Sequence, residues 1–123
     1  MEGNNQQRKT QTFPRTIRLG PNRNYRLVYK KGKSYPSKSL VLIYLKGKQI
    51  KIGFSVSSKV GNAVTRNRIR RIMREEARKM RLDWKGGRYI FVARPCIVDQ
   101  THGAISREIS SVIKRAGLLK DGE

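Results

Sequence analysis

The chain of 123 residues has one cysteine, Cys96, one histidine, His102, one tryptophan, Trp84, and only eight acidic residues. Each scarcity removes a class of chemistry. A single thiol permits neither an internal disulfide nor a cysteine cage for zinc, so Cys96, in an apolar context beside a strand, reads as a small core residue. The acids are Glu2, Glu75, Glu76, Asp83, Asp99, Glu108, Asp121 and Glu123, of which only Glu75 and Glu76 are adjacent in sequence. Adjacent helical residues point about 100° apart, which makes that pair a poor metal clamp. A protein nuclease needs clustered carboxylates for metal ions or a histidine pair for acid and base work, and this sequence has neither. His102, near an expected helix start, suits a surface or capping role. A Walker-type glycine loop is also missing. No apolar run approaches the roughly 18 residues of a spanning helix, and the first fifteen residues contain no signal-type hydrophobic region, so a soluble cytoplasmic protein is expected. If the protein belongs to an enzyme, the reacting groups come from elsewhere.

What the chain has in abundance is positive charge: 29 Lys and Arg against 8 acids, a net +21. Such an excess opposes compaction by self-repulsion and favours a polyanionic partner, for which phosphate backbones fit. The length suits one domain with a modest core. The charge is most ordered in residues 59–81. There Ile69, Ile72, Met73, Ala77 and Met80 recur on one helical face, and Arg70, Arg71, Arg74, Arg78 and Arg81 on the opposite one. Asn62 can cap the start of this helix. Guanidiniums three and four residues apart repel one another, so a face built from them is better matched to RNA or DNA than to water. Glu76 is the misfit, because it projects onto the apolar side.

Taken in order, residues 1–18 are polar and basic with little to bury and are expected to form a mobile arm. Residues 19–119 make the single domain, and 120–123 a frayed tail. Asn22 to Lys31 reads as a helix with Tyr25, Val28 and Tyr29 on one face and Gly32 as a left-handed cap. The two tyrosines admit two readings, core packing or stacking of single-stranded bases amid Arg23, Arg26, Lys30 and Lys31. Ser34 to Ser39 reads as a turn. Leu40–Lys46 and Gln49–Ser57 read as strands of a hairpin turning at Gly47 and Lys48. In the second strand Lys51, Gly53 and Ser55 share one side and leave a shallow groove. Asp83 to Gly87 reads as a loop holding Trp84. Arg88–Ala93 is apolar enough for a central strand, and residues 101–116 form a helix with the stripe Ile105, Ile109, Val112 and Ile113, stopped at Gly117. The expected fold is α+β, a mixed and mostly antiparallel sheet of three to four strands with three helices covering one side.

The run from Phe54 to Arg71, Phe-Ser-Val-Ser-Ser-Lys-Val-Gly-Asn-Ala-Val-Thr-Arg-Asn-Arg-Ile-Arg-Arg, closely resembles the signature of the bacterial ribonuclease P protein subunit, with Arg66-Asn67-Arg68 as its core. The likeness covers nearly the whole chain, from an Arg-Leu near the start to the strand ending in Ala93-Arg94-Pro95. The resemblance implies a left-handed crossover around the signature helix. It implies that Lys59, Asn62, Arg66, Asn67, Arg68, Arg70, Arg71 and Arg74 bind the catalytic RNA. It also implies a cleft for the 5′ leader of precursor tRNA that maps onto Tyr25, Tyr29, Val41, Ser55 and Asn67. The implied reaction is endonucleolytic hydrolysis at the tRNA 5′ end by Mg²⁺ ions held mainly by RNA, with a monomeric protein serving one RNA subunit. Four positions depart from the family pattern: Tyr25 and Tyr29 stand where Phe is frequent, Ser58 where many members have Lys, and Ile43 where an aromatic is common. The alternative is a ribosomal-type protein that binds folded RNA only to stabilise it. A scaffold needs one RNA surface, whereas the ribonuclease P reading needs two.

Overall fold

A computed structural model describes residues 15–120. Helix α1 spans Asn22–Lys31, followed by strands β1 (Lys33–Pro36), β2 (Leu40–Lys46) and β3 (Ile50–Ser55). Helix α2 (Ala63–Met80) leads through a 3-10 turn at Arg81–Asp83 to β4 (Gly87–Ala93), and a second 3-10 turn, Pro95–Asp99, precedes helix α3 (His102–Arg115). Among the described residues no helix is long and apolar enough to cross a membrane.

The four strands are ordered β1-β2-β4-β3, with β2 antiparallel to both β1 and β4, and β3 parallel to β4. The expected hairpin between β2 and β3 is therefore not formed, since β4 inserts between them. The reason lies in β4, where Tyr89, Ile90 and Phe91 are fully buried. A strand apolar on both faces needs neighbours on both sides. A β2–β3 hairpin would leave it at an edge. The segment expected as a turn, Ser34 to Ser39, supplies the short edge strand β1 instead, where polar residues and a terminal Pro36 are tolerated.

The helices cover both faces of the sheet, not one. Alternation along β2 and β4 sends Leu40, Leu42, Tyr89 and Phe91 into the larger core with Ile69, Met73 and Ala77 of α2 and Ile105, Ile109, Val112 and Ile113 of α3. The other face, with Ile43 and Ile90, packs against Val28 of α1 and Leu19. Trp84 is buried and stacks on Tyr89 at 5.2 Å between ring centroids.

Glu76 proves to be a buried anchor. Its carboxylate lies 2.7 Å from His102 Nε2 and 3.4 Å from Lys79 Nζ, which ties α2 to the start of α3. Thr101, not His102, caps α3, its hydroxyl accepting from Ala104 N–H. Glu108 plays the same part further along α3, accepting from the Ser37 hydroxyl and from both the N–H and hydroxyl of buried Ser39. Cys96 is exposed rather than core, its thiol donating to the Lys38 carbonyl. Gly32 is not in the left-handed region (φ −82°). It is needed for room, since a Cβ there would lie 2.6 Å from the Val28 carbonyl oxygen and 2.9 Å from that of Tyr44. Gly117 does end its helix with φ +70°.

The expected arm extends to residue 18, yet Arg15–Ile17 forms a 3-10 turn, Ile17 and Leu19 are buried, and Leu19 N–H donates to the Ile52 carbonyl on the outer edge of β3. The rest of the arm, residues 1–14, and the tail beyond Lys120 lie outside the described residues.

Candidate nucleic-acid interface

Helix α2 begins where the Asn62 side chain accepts from Thr65 N–H at 2.9 Å, so Asn62 is the expected cap. Burying Ile69, Met73 and Ala77 turns the opposite flank to solvent. Lys59, Asn62, Asn67, Arg68 and Arg71 are exposed, and Arg66, Arg70 and Arg74 are half-buried. Two of these arginines are held locally: Arg66 Nε donates to the carbonyl of Gly61, just before the helix, at 3.1 Å, and an Arg70 guanidinium nitrogen donates to Asn67 Oδ1 at 3.0 Å. None of the cations from residue 59 to residue 74 is in an ion pair among the described residues. The freely offered charges on this flank are thus Lys59, Arg68 and Arg71.

Arg70 and Arg74 do something the helical pattern alone does not indicate. Because α2 runs beside β3, the edge strand, they reach over that edge and join Tyr25 of α1 around a cavity of about 510 Å³. Arg18, Leu19, Gly20, Ile52, Gly53 and Phe54 complete its wall. The Tyr25 ring lies on Gly53, where any Cβ would overlap the phenol. The shallow groove expected at that position is therefore roofed by Tyr25, which settles its orientation; Tyr29, 45% exposed, faces solvent.

The electrostatics follow from this crowding. Burial raises the Tyr25 phenol above its ordinary range, opposed by a hydrogen bond from the Phe54 backbone and by the Arg70 and Arg74 charges. Burial, followed by repulsion from Arg18 and Arg70, lowers the Arg74 pKa. Three guanidiniums held around one partly dry space form a strong anion site. No carboxylate lines it. That donor set repels a divalent cation, which requires oxygen ligands, and among the described residues no three of His, Cys, Asp and Glu come together as metal ligands.

Register gathers the remaining candidates beside the cavity. Val41 of β2 pairs with Val92 of β4, and Val92 with Ser55 of β3, so the three form one row across the sheet on the α1 face. All three are only partly covered. The structure thus brings Tyr25, Arg70 and Arg74 into the cavity and sets Val41 and Ser55 in a row next to it, while Tyr29 and Asn67 line neither. Arg18 and Val92 were not singled out from the sequence, and Gly53 was read only as part of the shallow groove. Gly53, a glycine inside an alternating strand, carried the one available signal, because such glycines mark close approach of another group.

An arginine-flanked helix between two parallel strands, beside a cationic cavity roofed by an aromatic ring, defines a small basic protein built to hold nucleic acid. The Ribonuclease P family model matches residues 13–117, and the chain belongs to the ribonuclease P protein family. It is 40% identical over 111 residues to the ribonuclease P protein component of Clostridioides difficile, spanning 86% of this chain and 96% of that protein. The relative from Clostridium kluyveri is 38% identical over 109 residues, covering 84% and 96%. Among solved structures, the RNase P protein of Staphylococcus aureus superposes with a TM-score of 0.79 at 30% identity, covering 84% of this chain and 97% of that one. That of Thermotoga maritima gives 0.73 at 25% identity, covering 80% and 96%. The matched family is that of ribonuclease P and not a ribosomal one.

Proposed function

We infer that this chain is the protein subunit of a cytoplasmic ribonuclease P ribonucleoprotein, working as a monomer on one RNA subunit. It grips the catalytic RNA through the exposed flank of α2, with Lys59, Arg68 and Arg71 as the main phosphate contacts and Asn62, Arg66 and Asn67 shaping the helix start. It holds the single-stranded 5′ leader of precursor tRNA beside α1, over Val41, Val92 and Ser55 and against Tyr25. Arg70 and Arg74 serve the leader's phosphates more than the RNA subunit.

The observation that carries this reading is the presence of two separate surfaces, a solvent-facing arginine flank and a half-buried aromatic and guanidinium cavity beside a shallow sheet row. A single-surface scaffold has no use for the second. Hydrolysis of the leader is left to Mg²⁺ on the RNA subunit and substrate, in keeping with a cavity that suits anions and not cations. The protein's part is to bind and orient, which raises the effective concentration of the scissile bond at the RNA's ions. Reconstitution with a matching RNA subunit tests this: at low Mg²⁺ the protein should promote cleavage of precursor tRNA and favour precursor over mature tRNA in binding. Cleavage by the protein without RNA, or equal affinity for both tRNAs, would overturn it.

A further inference from the structure

Helix α3 carries an outward cationic face of its own. With Ile105, Ile109, Val112 and Ile113 buried, Arg107, Ser110, Ser111, Lys114 and Arg115 recur at i, i+3, i+4, i+7 and i+8 on the opposite side of the helix. These five residues line a recess of about 370 Å³. Arg107, Ser111, Lys114 and Arg115 are exposed. The helix packs over β1 and β2, whereas α2 runs along β3. In the order β1-β2-β4-β3 the two edge strands are three spacings apart, about 14 Å. The Arg115 guanidinium donates to the Pro36 carbonyl of β1, which fixes that charge at the β1 edge. Lys114 and Arg115, in the last turn, also complement the negative end of the helix dipole; Arg107 lies outside that turn and gains nothing from it.

The make-up of the recess selects its partner. Glu108, the one carboxylate of α3, is turned away to Ser37 and Ser39, and among the described residues every ion pair falls on Glu75 or Glu76, so these cations have no counter-charge. A protein interface or a membrane surface needs an apolar anchor, and the recess has none. Binders of single-stranded RNA stack bases on rings, and no ring lines it either. What it offers is cations two helical turns apart, about 10.5 Å from Arg107 to Lys114, with hydroxyls between them. That suits phosphates and 2′-hydroxyls, the groups by which an RNA double helix is held through its shape and backbone. The reading above places the RNA subunit at the far edge of the sheet and the leader on its far face, so the outer face of α3 stays open when both are bound. We propose that this face binds the backbone of a double-helical segment in a separate RNA molecule, bringing structured RNA to the assembled complex.

The test uses the holoenzyme reconstituted with its RNA subunit and a labelled RNA duplex of about 16 base pairs, the length a small double-strand-binding fold spans. The RNA subunit without protein serves as the control. The double variant Arg107→Ala, Lys114→Ala should bind the duplex more weakly and lose about 1.8 from the log–log salt slope, about 0.9 per duplex phosphate contact. Its cleavage of precursor tRNA and its affinity for the RNA subunit should match those of the unaltered protein. Both side chains stand outside the core and alanine favours the helix, so the fold is kept. Ser111→Glu, which removes no cation and sets a negative charge among them, should weaken duplex binding as well. Duplex binding equal to that of the unaltered holoenzyme in both variants would overturn the proposal. So would an equal loss for single-stranded RNA of the same length, which would remove the preference for a double helix. Weaker binding of the RNA subunit or of mature tRNA in the variants would also overturn it, by assigning this face to an RNA already in the complex. A failure of the leader reading shows separately, as an unaltered enzyme with equal affinity for precursor and mature tRNA.

Discussion

The two flanks of α2 hold the same kind of residue and do different physical work. On the outer flank Arg68 and Arg71 stand in solvent with no acidic partner among the described residues, where a guanidinium contributes chiefly through counterion release and is indifferent to sequence. On the flank over the β3 edge, Arg70 and Arg74 are half-buried beside Tyr25 and Arg18, where they are partly desolvated and a ring offers a stacking plane. Charge count is equal on the two sides, and what differs is water. The outer flank should therefore respond to salt, and the inner one to ring removal.

The largest effect should come from the inner flank. Tyr25→Ala should cost about 1–3 kcal/mol of precursor tRNA affinity, the worth of one stacked base, while mature tRNA binding and the salt slope for the RNA subunit stay unchanged. Equilibrium binding of both tRNAs checks this; equal losses would erase the distinction between the flanks. Next, Arg68→Ala with Arg71→Ala should lower the log–log salt slope of RNA-subunit binding by roughly 1.4 to 1.8, since each lost phosphate contact removes about 0.7 to 0.9, with the precursor-to-mature preference retained. A slope equal to that of the unaltered protein would move the RNA-subunit contact elsewhere.

Tyr25→Phe sharpens the comparison. It keeps the ring on Gly53 and removes the hydrogen bond with the Phe54 backbone, so folding stability should fall by about 0.5–1.5 kcal/mol while leader preference persists. Chemical denaturation beside tRNA binding separates the two effects. The smallest effect at neutral pH concerns the carboxylates that brace α3 behind both surfaces. For Glu76, burial raises the pKa, but hydrogen bonds from Ser106 and His102 and the Lys79 charge outweigh it; for Glu108, burial is outweighed by Ser39 and Ser37 and the nearby Lys38 charge. Both carboxyls end below the ordinary value. Their stabilisation is therefore fully present above the unfolded-state pKa of about 4.3 and is lost as pH falls through the lower folded values. Thermal midpoints measured on acidification should drop in that window, and Glu108→Gln should make the drop shallower.

Much of this was legible in order along the chain. Helices α1, α2 and α3 and strands β2 and β4 appear where their periodicities place them, because an amphipathic stripe or an apolar run records which surface must be buried, whatever buries it. The misreadings share a cause. The hairpin that β2 and β3 do not make, the helix on the second face of the sheet, the edge strand at Lys33–Pro36 and the exposed thiol of Cys96 all depend on which segment lies beside which, and local sequence does not record neighbours.

The same division runs through the site. Sequence by itself determined the polyanionic class of partner, the arginine flank, the cap at Asn62 and the family, since these rest on charge, helical spacing and a contiguous signature. Only the tertiary structure decided that Arg70 and Arg74 leave that flank to join Arg18 and Tyr25 above Gly53, that Val92 links Val41 to Ser55, and that misfit Glu76 is the tie to α3. Those groups are far apart in the chain. Strand pairing and the path of α2 along an edge strand bring them together, and a half-dry cavity exists only once they have met.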